Sequence, residues 1–198
     1  LRDKPLHLDT LAAIAAELPA IMHERTRVVT LQNGIPWWYF HKLPGAWEGT
    51  PIRAVDPDGV IAQSIAVDRV IGSVVYPASE VIQPGIIKVI EGNRFTLGEL
   101  NGGDTPSIRE IADAFKTAGF KAPISRDIRS EIWLKVWGNL SFNPISALTH
   151  ATLEDICLYA PTRELAAAMM REAQTIGEAL GVQFKVSLDK RIAGAQAV

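Results

Sequence analysis

Only one cysteine, Cys157, occurs in 198 residues, so the chain has no internal disulfide framework and no multi-cysteine zinc site. It lies in an apolar stretch, which reads as a buried, inert thiol in a reducing cytosol. No run of about 18 uninterrupted apolar residues occurs, so no segment has the pattern of a membrane-spanning helix. A secretory leader pattern is also missing. Neither charge sign dominates: 20 Lys and Arg are interleaved with 22 Asp and Glu, giving a net charge of -2. That balance offers no footprint for nucleic acid or an anionic membrane surface, and small-molecule chemistry becomes the better expectation. No internal repeat or low-complexity segment is visible.

What is present is an ordinary globular composition, 47% hydrophobic and 21% charged, with length for one large domain or two small ones. The chain opens on Leu1 with a helix whose strand partner is missing upstream. It closes on Ala-Gly-Ala-Gln-Ala-Val198, with neither a helix stop nor a packing residue. The expectation is that further sequence belongs at both ends.

Leu8, Leu11, Ala15, Leu18 and Met22 recur at helical spacing and predict an amphipathic helix over 8–23. Arg27 to Gln32 reads as a buried parallel strand stopped by Asn33-Gly34, so helix and strand form half of a βαβ unit. Residues 36–59, with Trp37, Trp38, Trp47 and several Pro and Gly, have no sustained period and read as a long ordered loop. Asp56-Pro57 is placed to cap a short helix. Three strands are expected at Val70–Tyr76, Ile86–Glu91 and Arg94–Leu97, with Gly92-Asn93 as the turn joining the last two. Ser107-Ile-Arg-Glu110 has the spacing of a capping box for a helix ending at Gly119. From about Asp127 the pattern is helical: Ile128–Leu148, a short piece near Leu153, and Arg163–Leu180 between an N-capping Thr162 and Gly181. The predicted fold is α/β followed by all-α, a partial doubly wound sheet (residues 1–123) and a helical domain (124–198), parted near Pro123.

Lys135, Asn139 and Asn143 are four residues apart, so each is rotated about 40° from the last and all three share one helix face. Ile132, Trp133, Val136, Trp137 and Leu140 make most of the remaining circumference apolar, so the polar stripe needs something polar opposite it. A ligand cleft satisfies that need. A lysine snorkelling to solvent, with both carboxamides bonded to backbone, satisfies it equally. Pro144 removes an N–H beside Asn143, and Gly138 permits a close approach beside Asn139, by a ligand or by another helix. Asn33 follows a predicted parallel strand, where open α/β sheets bind ligands, although Asn-Gly is also an ordinary turn. His41 and His150 have no partner at ligand spacing and read as structural or surface residues, so no metal site is expected.

Val28-Val-Thr-Leu-Gln-Asn-Gly34, Gly72-Ser-Val-Val-Tyr76, Leu97-Gly-Glu99 and the Trp133-x-Lys135-x-x-x-Asn139-x-x-x-Asn143-Pro144 core together resemble the ketopantoate reductases. The resemblance covers most of the chain. It implies a Rossmann domain followed by a helical domain, with NADPH and a small 2-oxo acid between them. By resemblance Lys135 is the general acid, Asn139 and Asn143 bind substrate, and Asn33 holds the nicotinamide side. Lys4 matches, more weakly, a family lysine near cofactor and substrate; by its own residues it reads as solvated. The glycine-rich dinucleotide fingerprint is absent, and the family's late substrate-binding Ser and Glu fall beyond Val198. A lone fragment is therefore expected to be inactive, and the competing expectation is a non-catalytic binding module. The aromatic run Trp37-Trp38-Tyr39-Phe40 either walls the site, favouring a different 2-oxo acid, or plugs the space between domains. Leu165, Ala168, Met169, Ala173, Ile176 and Leu180 form an apolar face, extended round the helix by Ala166, Ala167, Met170 and Ala179 and expected to be buried on more than one side, with either homodimerisation through the helical domain or a missing C-terminal segment covering what its neighbours leave open.

Overall fold

The structure, a computed structural model, describes residues 8–197 and divides into two compact units, the first reaching to Ile128 and the second beginning at Arg129. Lys4 lies outside the described residues.

In the first unit, α1 (Leu8–Glu17) is followed by a short 3₁₀ turn, Leu18–Ala20, which carries Pro19. The predicted helix is thus shorter than 8–23, because a proline has no N–H to continue the ladder. Strand β1 (Val28–Thr30) pairs in parallel with β2 (Val70–Val75), and β2 pairs antiparallel with β5 (Phe95–Glu99), giving the order β1-β2-β5. A mixed sheet results. The long connection between β1 and β2 is ordered by burial: Trp37, Trp38 and Tyr39 are all in the core. Trp38 donates its indole N–H to Thr30 Oγ1 at 3.1 Å, which pins the loop to β1. Within this loop α2 (Val60–Ser64) starts after Gly59, while the buried Asp56 carboxylate accepts from the N–H groups of Ile61 and Ala62 at 3.1 and 2.9 Å. Asp56 therefore satisfies helix-start donors as expected, from further upstream than a conventional cap.

Helix α3 (Pro106–Thr117) lays Ile108 and Ala112 against Ile71 of β2, Leu97 of β5 and Ala122. Its cap is Thr105, whose side chain accepts from Ile108 N–H, with Pro106 in the first turn. The expected Ser107 capping box is displaced by this Thr-Pro start, since proline's missing donor and fixed φ suit the first helical position. Beyond α3, Phe95 N–H and Leu97 N–H donate to the carbonyls of Lys121 and Pro123, so residues 121–125 still lie along β5.

The antiparallel pairing differs from expectation. Ile86–Glu91 (β4) pairs with an unpredicted strand, β3 (Ala78–Gln83), through the Pro84-Gly85 turn, not with residues 94–97 through Gly92-Asn93. Gly85 has φ +83°, which an L side chain resists, so the turn forms there. The resulting two-stranded ribbon is exposed on both faces, Val81 and Ile87 included. Without a covered face, its alternation carried no burial signal.

The second unit is helical. Helix α4 (Ile128–Thr149) runs through Pro144 and is followed by α5 (Leu153–Leu158), α6 (Ala160–Ala179) and α7 (Leu188–Gln196). Helix α6 begins before the expected Thr162, whose hydroxyl instead donates to the carbonyls of Ile156 and Tyr159, and it ends with Gly181 at φ +82°. The buried stripe of α6 is Ala166, Ala167, Met170, Ala173 and Gly177. Of the predicted apolar face, Leu165 and Ile176 are each 51% exposed. Small residues are buried where α6 packs on α5 and α7 and receives the Trp137 and Phe184 rings. Helix α7 is not predicted from the sequence; Ser187 caps it and Ile192 and Ala195 bury, so Ala195 does supply a packing residue near the end of the chain.

Candidate functional site in the helical unit

The rotation of α4 about its axis decides what its polar stripe meets. Trp137, fully buried, donates Nε1–H to the Met170 carbonyl of α6 at 2.6 Å and packs on Phe184 at a centroid distance of 4.8 Å. Trp133 meets the same Phe184 ring edge-on at 6.4 Å. Room for that ring comes from α6, where a Cβ at Gly177 would approach Phe184 to 2.9 Å. Ser141, also fully buried, donates to the carbonyls of Trp137 and Gly138, so its hydroxyl is satisfied within the helix. One side of α4 is thereby fixed against α6. Lys135 lies two residues before Trp137, about 160° away around the helix, and so projects away from this anchored side.

Lys135, Asn139 and Asn143 follow one another on that opposite face. Lys135 and Asn139 are partly buried and Asn143 is exposed. Burial pulls the Lys135 ammonium below the ordinary lysine value, because losing water penalises the charged form. An amine so placed releases its proton more readily than a solvated lysine, while remaining able to stabilise negative charge developing on a nearby oxygen.

In the other unit, Asn33 lies beyond the carboxyl end of β1 and is exposed, followed by Gly34 at φ +88°. The turn and the exposed carboxamide are therefore present at the strand end, the position from which open α/β sheets reach a ligand. Of the aromatic run, Trp38 has its place within the first unit. Trp38 is sandwiched between Thr30 and Gly72, where a Cβ would meet its ring at 2.8 Å, so it is core of the first unit. Cys157 is buried, its thiol raised by desolvation and donating weakly to Ile192 O at 3.6 Å.

One neighbour of the stripe escaped the sequence reading. Gly138 receives the guanidinium of Arg191, from the unpredicted α7, over its bare backbone. The mid-helix glycine was the available signal; nothing in the sequence said which side chain it admits.

A mixed sheet with helices, followed by a helical unit, is the plan of the ketopantoate-reductase-like fold. The chain belongs to the ketopantoate reductase PanE/ApbA family: the family model for the ketopantoate reductase PanE/ApbA C terminal matches residues 127–196. It is 53% identical over 190 residues to a 2-dehydropantoate 2-reductase of Mesorhizobium japonicum, spanning 96% of this chain and 58% of that protein. A candidate ketopantoate reductase from Ralstonia solanacearum has the same fold, with a TM-score of 0.93 at 37% identity over 97% of this chain and 60% of its own. D-mandelate dehydrogenase, solved with NADH, shares the fold alone, with a TM-score of 0.76 at 15% identity over 96% of this chain and 56% of its own. The chain thus spans less than two thirds of these relatives' length. Among the described residues no helix is long and apolar enough to cross a membrane, and no cluster of metal-ligating side chains is present.

Proposed function

We propose that this chain is the larger part of an NADPH-dependent reductase that converts 2-dehydropantoate to pantoate, or a related 2-oxo acid to its 2-hydroxy acid, in the cytosol. The observation that carries this reading is a desolvated lysine, Lys135, sharing one helix face with Asn139 and Asn143. NADPH, when bound, supplies a hydride to the ketone carbon. Lys135 gives its proton to the ketone oxygen as negative charge builds there, and its ammonium stabilises that charge until transfer. Asn139 and Asn143 orient the substrate by hydrogen bonds from their carboxamides. Asn33, exposed at the end of β1, holds the nicotinamide side. In this reading residues 1–123 are the remainder of a nucleotide-binding domain and residues 124–198 the substrate and dimerisation domain. Homodimerisation uses the face of α6 that carries the exposed Leu165 and Ile176, since burial between helices is the natural fate of such a stripe.

The test is NADPH oxidation by the full-length protein with a panel of 2-oxo acids. Turnover with 2-dehydropantoate or a near relative is expected. Absence of turnover with every acid, alongside normal folding, overturns the reading and favours a binding module. Light scattering with wild type and Leu165→Lys tests the dimer: a monomeric wild type refutes it.

A further inference from the structure

A glycine in the interior of a helix costs roughly 1 kcal/mol relative to alanine, so Gly138 needs a packing reason. The structure supplies one. A Cβ at Gly138 would lie 3.0 Å from Cζ and 3.5 Å from Nε of Arg191 and would overlap its Nη2. The same guanidinium stands 6.0 Å from the centroid of the Phe142 ring. Gly138 and Phe142 are four residues apart and form one shallow seat on α4 for a side chain delivered by α7. Arg191 is itself partly buried, and a guanidinium stays charged at any pH the protein meets.

Helical geometry places this seat beside the reactive stripe. Gly138 is three residues after Lys135, about 60° round the helix, and Phe142 is seven after it, about 20° away. Arg191 therefore flanks the face that carries Lys135 and Asn139. Every 2-oxo acid, whatever its side chain, brings to that face a ketone and a carboxylate that is ionised at neutral pH. Lys135 is committed to the ketone oxygen, and two carboxamides supply no charge. The carboxylate needs a second cation, and a guanidinium fork matches its two oxygens with paired hydrogen bonds.

We propose that Arg191, seated over Gly138, is the residue that recognises the carboxylate of the 2-oxo acid. The inference rests on the reductase reading above. It makes the charge of the substrate, and not its side chain, the feature read by α7.

The experiment uses the full-length protein as wild type, Arg191→Lys, Arg191→Gln and Arg191→Ala, assayed with the 2-oxo acid and with its uncharged primary amide. For Arg191→Ala and Arg191→Gln, KM for the acid should rise roughly 10- to 100-fold with kcat changed little, the loss expected for one charge-assisted pair. Arg191→Lys should fall between them and wild type. KM for the amide should not move, and added guanidinium ion should restore part of the acid activity of Arg191→Ala. A purely structural Arg191 predicts equal losses for acid and amide, and that result overturns the proposal while leaving the reductase reading intact. Unchanged acid KM in folded Arg191→Gln overturns it as well. If wild type turns over no 2-oxo acid, the reductase reading itself has failed.

Discussion

Trp137 Nε1 reaches the Met170 carbonyl at 2.6 Å, tying the helix that carries Lys135 to the longest neighbour it packs on. Trp137→Phe removes that hydrogen bond and part of a fully buried ring. The expected cost is about 2 kcal/mol, one hydrogen bond plus a partly unfilled site, read from the midpoint of urea unfolding. Because the same contact sets the rotation of α4, kcat of the full-length protein should fall too, with the Lys135 side chain itself untouched. Unchanged stability in this variant would show that Phe184 and Trp133 hold α4 without it.

Lys135 should be unfavourable for stability and favourable for catalysis. Burial lowers its folded-state pKa below the unfolded value, so at neutral pH folding must desolvate a charged ammonium. That penalty is fully present below the lowered pKa and fades as pH rises towards the ordinary lysine value. Lys135→Met is therefore expected to raise Tm at pH 7, with the gain shrinking at strongly alkaline pH, and to lower kcat by ~10²–10⁴-fold. Parallel thermal melts at neutral and alkaline pH, with turnover measured on the same samples, check both signs. A drop in Tm at pH 7 would mean that contacts made by the ammonium outweigh its desolvation.

Three glycines should rank by what surrounds them. A Cβ at Gly98 would meet Ile128 Cβ at 2.6 Å and the Ser125 carbonyl at 3.0 Å, whereas one at Gly72 meets the edge of the Trp38 ring at 2.8 Å. Both substitutions to alanine should destabilise by roughly 1–3 kcal/mol, Gly98→Ala more, because backbone and a branched carbon yield less than a ring edge. Gly194, in α7, has nothing within 4 Å, and Gly194→Ala should stabilise by roughly 0.5–1 kcal/mol. Chemical denaturation of the three variants gives the order directly.

Much of this arrangement is local and so was legible in one dimension. The period of four that joins Lys135, Asn139 and Asn143 is a property of any α-helix, and the β-branched run ending at Asn33-Gly34 marks its strand end without reference to the rest of the chain. Which side of α4 is anchored was not legible there, because Ile132, Trp133, Val136, Trp137 and Leu140 make most of its circumference apolar and only the contacts of Trp137 with Met170 and Phe184 pick one side. The ribbon of β3 and β4 was read incompletely because neither of its faces is covered, so no alternation of burial had been imposed on its residues.

Tertiary structure decided the pairings and the neighbours. Whether Ile86–Glu91 takes its partner through Pro84-Gly85 or through Gly92-Asn93 depends on β2 claiming Phe95–Glu99 for itself, a contact between distant residues. Which stripe of α6 is buried follows from where α5, α7 and the Trp137 and Phe184 rings meet it, and those contacts fall on Ala166, Ala167, Met170, Ala173 and Gly177 and leave Leu165 and Ile176 half exposed. The sequence alone showed a lysine, two asparagines and an unexplained glycine on one helix. Only the packing of α7 on α4 reveals that the glycine's missing side chain is the space an arginine fills, because periodicity orders residues along one element and holds no information about what another element brings to it.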